Sequence, residues 1–300
     1  MKAALSIAII GNFKDKKILQ LNCRKNNKFQ AASISKPLTA LLVVKLAEEK
    51  KLDLNKDVNL YLKDYKVVDK KGKETKVTLK QILSHTAGLN VSGFPGYAAN
   101  KKIPSIDQIL NGTKPCNTEK IFVKYNPGKK YAYSGGGYIV LQKIIEEVTK
   151  KKFEKIMKEK IFKPLKMNNS DYKIRKSKKF KIYPEKAAAG LWTTTEDLSK
   201  FLIEIQLSYV GKSNKILKKK TIKQILTPII NAEWNYMGVG FFISKNKKNF
   251  YHSGHNYKHR GFLKGSLKKG NGLIIMANFN NQKKMKSLVK KYSKNQKGVN

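Results

Sequence analysis

The sequence predicts an α+β fold: an antiparallel sheet built from strands at the two ends of the chain, with a large helical region between them. Three observations predict it. The chain opens with an apolar run, Leu5 to Ile10, closed by Gly11-Asn12. Helical spacing and helix-capping signals then fill the middle, from about residue 33 to about 230. From about residue 236 the chain breaks into short apolar stretches separated by glycine and asparagine. Runs of helices followed by runs of strands point to α+β rather than a doubly wound fold. No internal repeat or Pro/Gly-rich linker divides the chain. At 300 residues with 40% hydrophobic and 10% aromatic content, it reads as one domain over 1–300 with a sizeable core. The sheet is expected from about 3–10 and 236–280.

Each element has its own signal. MKAALSIAII imitates an export leader, but no small-residue cleavage site follows and lysine-rich sequence ends the run. It reads as a buried first strand, and the chain as written reads as cytoplasmic. No stretch approaches the roughly 18 apolar residues that a membrane span needs. Residues 11–28 are polar and hairpin-like. Next, Leu38, Leu41, Leu42, Val43, Val44 and Leu46 leave a helix apolar nearly all round, so it is buried on most sides. Pro37 is tolerated only near a first turn, so this helix begins close to Ser33 and sets Ser33 at its positive pole.

Later helices open on capping boxes: Thr78 with Gln81, Ser105 with Gln108, and Thr193 with Glu196. Ile139, Leu141, Ile144 and Ile145 give the stretch from Tyr138 to Val148 a helical period. Strands are expected at 238–243, 250–252, 261–267 and 273–279, with Asn271-Gly272 as a hairpin signal. A final helix is expected over about 283–292. The first strand should join the last ones in one sheet. A cleft would then form where the helical region meets that sheet.

The formal charge is +44. Of the 64 basic residues only Arg24, Arg175 and Arg260 are arginine, leaving 64 − 3 = 61 lysines. Arginine is the preferred side chain for bidentate phosphate and base contacts. Its scarcity, with lysine spread along the whole chain, reads as a solvated lysine-biased surface rather than a specific nucleic-acid interface. Nonspecific binding to polyanions at low salt is still expected. Cys23 and Cys116 lie far apart and match no metal spacing; a disulfide between them is not indicated.

Three short blocks could line the cleft. The first is Ser33-Ile34-Ser35-Lys36. In so lysine-rich a chain a Ser three residues before a Lys recurs by accident, as at Ser170 and Lys173. At the head of a buried helix, however, positions i and i+3 share a face, so the Ser33 hydroxyl and the Lys36 amine can meet. A serine is a weak nucleophile until a neighbour takes its proton, and a lysine amine withdrawn from water can be that neighbour. The second block is Tyr131-Ala132-Tyr133-Ser134-Gly135-Gly136-Gly137-Tyr138, where a tyrosine could share proton transfer and the glycines leave room for substrate. Alone it would also be an ordinary glycine-rich turn. The third is His252-Ser253-Gly254-His255, at a strand end able to offer a backbone N–H to an oxyanion. Each of its histidines would equally suit a plain strand end.

In this order and spacing the blocks resemble the serine β-lactamase-related hydrolases: class C β-lactamases, penicillin-binding D,D-peptidases and related esterases. Phe29 to Pro37 is similar to that family's nucleophile segment. Lys51-Leu52-Asp53-Leu54, Ile82-Leu83-Ser84-His85-Thr86-Ala87-Gly88-Leu89, Ile161 to Met167 and Ala188-Ala189-Gly190-Leu191-Trp192-Thr193-Thr194 also fit, over about residues 3–280.

The resemblance implies a β-lactamase/transpeptidase-like catalytic domain that hydrolyses an ester or amide through an acyl-enzyme, with no metal or organic cofactor. It implies a small-molecule or peptide substrate. Ser33 would be the nucleophile, Lys36 its proton acceptor and Tyr133 the second general base. His252 would stand in the third motif, the backbone N–H groups of Ser33 and His255 would form the oxyanion hole, and Gly135, Ser253 and Gly254 would border the substrate. His85 looks structural.

Two departures bear on specificity. The family's Tyr-x-Asn is Tyr133-Ser134-Gly135 here, and its third-motif Lys or His is His252. Both lean toward esterase, amidase or peptidase chemistry, with weak β-lactamase activity at most. Two other functions stay open: a catalytically impaired relative acting in binding or regulation, and a polyanion-binding protein, suggested by the +44 charge. The segment before Ser33 is also shorter than the family suggests, which would leave a sheet edge open.

Overall fold

The computed structural model describes residues 3–294. Its sheet has eight strands: β1 (Leu5–Gly11), β2 (Asp15–Leu21), β5 (Ile230–Ala232), β6 (Asn235–Met237), β7 (Phe242–Ile243), β8 (Asn249–Asn256), β9 (His259–Ser266) and β10 (Gly272–Ala277). Their order is β2-β1-β10-β9-β8-β7-β6-β5. Every pairing in it is antiparallel. The first strand does join the last ones, with Ile7 opposite Ile275 and Ala8 opposite Ile274. The polar stretch after β1 turns back as β2 and occupies the sheet edge. Lys16 and Lys17 lie on that edge, which discourages pairing with a second chain.

Strand alternation divides the sheet into two faces. Ala8, Ile10, Leu263, Ile274 and Met276 belong to the main core and face the helical region. That region comprises α1 (Ser35–Glu48), α2 (Leu79–Leu83), α3 (Ile106–Asn111), α4 (Gly136–Thr149), α5 (Phe153–Met157), α6 (Thr195–Val210) and α7 (Lys219–Ile225). Helix α1 is buried along its length, with Leu38, Leu41, Leu42 and Val43 all at 1% exposure or less. Helix α6 lies directly on the sheet. A Cβ at Gly265 or Gly272 would fall 2.9 or 2.5 Å from the methyls of Leu202. The opposite face carries Ile7, Ile9, Leu273 and Ile275, and the C-terminal helix α8 (Gln282–Lys294) covers it with Met285, Leu288, Val289 and Tyr292.

The capping boxes at Thr78/Gln81 and Ser105/Gln108 are both present. The third is shifted by one residue. Thr194, not Thr193, caps α6 and accepts from the Asp197 N–H. Thr193 is held instead in the two-residue strand β4 (Trp192–Thr193), paired with β3 (Phe29–Gln30), its hydroxyl bonded to Ser170. Of the apolar run expected as a strand at 238–243 only Phe242–Ile243 is one, β7; residues 238–241 form the bend between β6 and β7, with Gly240 in it. That residue has φ +76, and a Cβ there would sit 2.3 Å from that of Ala40. Asn271-Gly272 is not itself a tight turn: Gly272 already starts β10, and Gly270 is the left-handed turn residue, φ +69. Two-residue hairpin turns lie elsewhere, at Tyr257-Lys258 between β8 and β9 and at Glu233-Trp234 between β5 and β6. Strand β5 had no clear sequence signal.

Candidate active site

Ser33 lies in a 3-10 turn, Ala32–Ile34, that runs straight into α1. Ala32, just before it, has φ +49, a left-handed conformation that costs a residue with a Cβ about 1–3 kcal/mol. The neighbourhood holds it there. Ala31 and Ala32 are fully buried. The Ala31 N–H donates to Leu191 O at 2.8 Å, and Ser35 Oγ donates to Ala32 O at 2.6 Å. The turn also sits against β8. A Cβ on Gly254 would be 2.3 Å from Ala31 O and 3.0 Å from Ser33 N, so only glycine lets the strand approach the Ser33 N–H this closely.

Lys36, in the first turn of α1, is 2% exposed. Its Nζ lies 3.2 Å from Ser33 Oγ and 3.0 Å from Ala188 O. It also sits 5.0 and 5.5 Å from the ring centroids of Tyr133 and Tyr138. No carboxylate pairs with it among the described residues. The second partner fixes the amine. Helix α1 is lashed to the segment 187–191 by the Thr39 hydroxyl donating to Ala187 O and the Leu191 N–H donating to Ser35 Oγ.

Tyr133 is positioned from behind by His85. Their ring centroids lie 4.2 Å apart, with the planes tilted by 31°. The Ala132 N–H donates to His85 O at 2.8 Å and the Ser134 N–H donates to His85 Nδ1 at 3.1 Å, clasping the residues on either side of Tyr133. Accepting at Nδ1 puts the imidazole proton on Nε2, which is buried without a partner. Burial, and then the nearby Lys36 and His252, hold His85 well below the usual histidine range, so it is neutral. That is the structural part expected of it.

His252 points from β8 to the inner face and is 1% exposed. Its Nδ1 donates to Ser253 O at 2.7 Å, which leaves Nε2 as a bare buried acceptor. Burial first, and Lys36 second, push its pKa down to about 3. It is therefore a neutral group at physiological pH. Ser253 and His255 point to the other face, where His255 Nε2 meets Asn280 Oδ1 at 2.9 Å.

A cleft of about 630 Å³ brings Ser33, Tyr133, His252, Ser253, Gly254 and His255 together. Lys36 lies beneath its floor. Gly135 stands back from it: a Cβ there would meet Phe94 at 2.9 Å and Ser92 O at 3.0 Å rather than the cleft. Ser92 and Gly93 form that wall instead. Sequence reasoning missed them, because nothing local marks a loop that reaches a distant site. It also missed Ala188 O, which acts through its backbone and so leaves no side-chain signature. On the far wall it missed Arg260, Lys286 and Lys290. Only the rarity of arginine could have flagged the first of these. A serine hydroxyl in contact with a buried amine is an arrangement in which the amine can take the proton and free the oxygen as a nucleophile.

The β-lactamase family model matches residues 9–291. The chain belongs to the β-lactamase family. Among curated relatives, Protein flp of Staphylococcus aureus (strain MRSA252) is 27% identical, with 89% of this chain and 55% of the relative covered. Teichoic acid D-alanine hydrolase from the same strain is 29% identical over 68% of this chain and 46% of the relative. The chain thus spans about half the length of the curated relatives it matches. The penicillin-binding protein of Bacillus halodurans superposes with a TM-score of 0.76 at 16% identity, covering 96% of each chain. The D-amino acid amidase of Ochrobactrum anthropi SV3 does so at 0.73 and 18%, covering 92% of this chain and 86% of that one. These two likenesses show the β-lactamase/transpeptidase fold.

Proposed function

We propose that this β-lactamase-family chain hydrolyses a carboxylic ester or amide through an acyl-enzyme on Ser33. The observation that carries the reading is the buried Lys36 amine 3.2 Å from the Ser33 hydroxyl, braced from the other side by Ala188 O. In its free-base form Lys36 takes the proton as Ser33 Oγ bonds to the acyl carbon. The carbonyl oxygen becomes an oxyanion between the backbone N–H groups of Ser33 and His255. Collapse breaks the bond to the leaving group, which departs with a proton returned through Lys36 and Tyr133. A water then attacks the acyl ester, and its proton passes through the Tyr133 hydroxyl to Lys36, which returns one to Ser33 as the carboxylic acid leaves. His252, neutral, shapes the pocket without adding charge. The relatives named for D-alanine hydrolysis and D-amino acid amide cleavage support an aminoacyl group as the acyl part.

The test is incubation with a fluorophosphonate and with a fluorescent penicillin, followed by mass spectrometric mapping. An adduct on Ser33 is expected, stronger with the fluorophosphonate because position 135, closed off by Phe94 and Ser92, presents no side chain to the cleft that could hold an acylamino group. A folded sample that takes neither reagent would sink the reading in favour of an impaired, binding member of the family.

A further inference from the structure

The cleft has two unlike walls, and the far one has no role in the chemistry above. Arg260 stands on β9 directly opposite His255 on β8. Its Nη2 donates to Asn280 Oδ1 at 3.0 Å, the same oxygen that His255 Nε2 contacts. Its Nε is buried without a partner, and no carboxylate pairs with the guanidinium among the described residues. Arg175 shows the contrast: its fork is filled by both oxygens of Asp171, at 2.8 and 2.9 Å. Lys286 and Lys290, one turn apart on α8, continue the wall, and no aspartate or glutamate lines the cleft.

Lysine alone would say little in a chain with this composition. Three features set the wall apart. It holds one of only three arginines. That arginine is anchored on one side with donors left open, in a partly dry place where an uncompensated cation costs free energy. It also shares the cleft with Ser33.

We propose that Arg260, Lys286 and Lys290 form a subsite for the repeated negative charges of a linear polyanion, so that the ester turned over at Ser33 is carried on an anionic polymer. The substrate part rests on the hydrolase reading; the binding part does not. Arginine matches a phosphate or carboxylate in bidentate fashion. Lysines at i and i+4 stand about 5–6 Å apart at Cβ, a spacing that suits successive charges on one strand rather than a single anion.

The experiment measures binding without turnover. Ser33→Ala protein is titrated with a fluorescent inorganic polyphosphate of about ten units, and in parallel with an oligoglutamate of equal length. One variant carries Arg260→Gln, Lys286→Gln and Lys290→Gln. A control of equal charge carries Lys212→Gln, Lys215→Gln and Lys220→Gln, three exposed lysines off the cleft. The cleft variant is expected to lose at least tenfold in affinity, and the control less than about twofold. Equal losses in the two would overturn the proposal, since the charge would then be generic. The exposed Lys286→Gln and Lys290→Gln single variants, which should leave the fold alone, must each show part of the loss. Preference between the two probes assigns the charges to phosphate or carboxylate. If Ser33 resists every acylating reagent while the cleft variant still loses polyphosphate, the hydrolase reading falls and the subsite stands.

Discussion

Helices α1 and α8 flank the same cleft and are built on opposite rules. Helix α1 is apolar nearly all round and buried on most sides; its first turn carries Lys36, and Ser33 lies in the 3-10 turn that leads into it. Helix α8 has one apolar stripe, lies on the outside of the sheet and turns lysines toward the cleft. The difference teaches where accuracy is needed. The proton transfer proposed for Ser33 and Lys36 would tolerate little displacement, and the two residues sit where nothing can shift without opening the core. Contacts to a large charged ligand tolerate more, and an outer helix held by one stripe can supply them.

The sharpest way to break this contrast is at the head of α1. Ser33→Ala should lower ester turnover at least about a thousandfold and remove all covalent labelling, with the melting temperature little changed. Unchanged turnover would remove the chemistry from that helix. Tyr133→Phe keeps the ring on His85 but loses the hydroxyl, and should cost about 10²–10⁴-fold in kcat. Wild-type rates would leave Lys36 as the sole base. Packing separates the helices next. Leu42→Ala in α1 should destabilise by about 2–5 kcal/mol, and Val289→Ala on the half-buried stripe of α8 by less than about 1.5 kcal/mol, read by urea unfolding. Similar values would mean that α8 is as much part of the core as α1.

The subtlest effect is pH-dependent and belongs to the α1 side. Glu185, in the loop that braces Lys36, is fully buried with both carboxylate oxygens unpartnered, and burial pushes its pKa up to about 8. It folds protonated, so its contribution is complete below the ordinary carboxylate range and is lost as pH rises through about 8. His252 and His259 have the opposite sign. Burial takes them from 6.5 down to about 3 and about 4, so stability is lost as pH falls from about 6.5 through those values. Denaturation curves across pH should show a maximum between the two slopes. Glu185→Gln should flatten the alkaline one and His259→Gln part of the acid one. An unaltered alkaline slope in Glu185→Gln would show that its carboxyl is solvated.

Much of this architecture was legible from local pattern. The period of α1, the limit set by Pro37 and the i, i+3 placement of Ser33 and Lys36 follow from helix geometry. The joining of β1 to the C-terminal strands follows from where the apolar runs fall, and the three motifs carried the family. Errors arose where a neighbour far along the chain decided the outcome. Thr193 reads as a cap, but pairing with Phe29 holds it in a strand, and Thr194 takes the role. Gly135 reads as substrate-facing, yet Phe94 and Ser92 stand where its side chain would go.

Periodicity reports which face of an element is dry, because burial repeats at the pitch of the helix or the pleat of the strand. It does not report which other element covers that face. The approach of Gly254 to Ser33, the bond from Lys36 to Ala188 O and the meeting of Arg260 with the α8 lysines join residues widely separated in sequence. They came into being only when strand order and register were set, and those are settled by long-range packing.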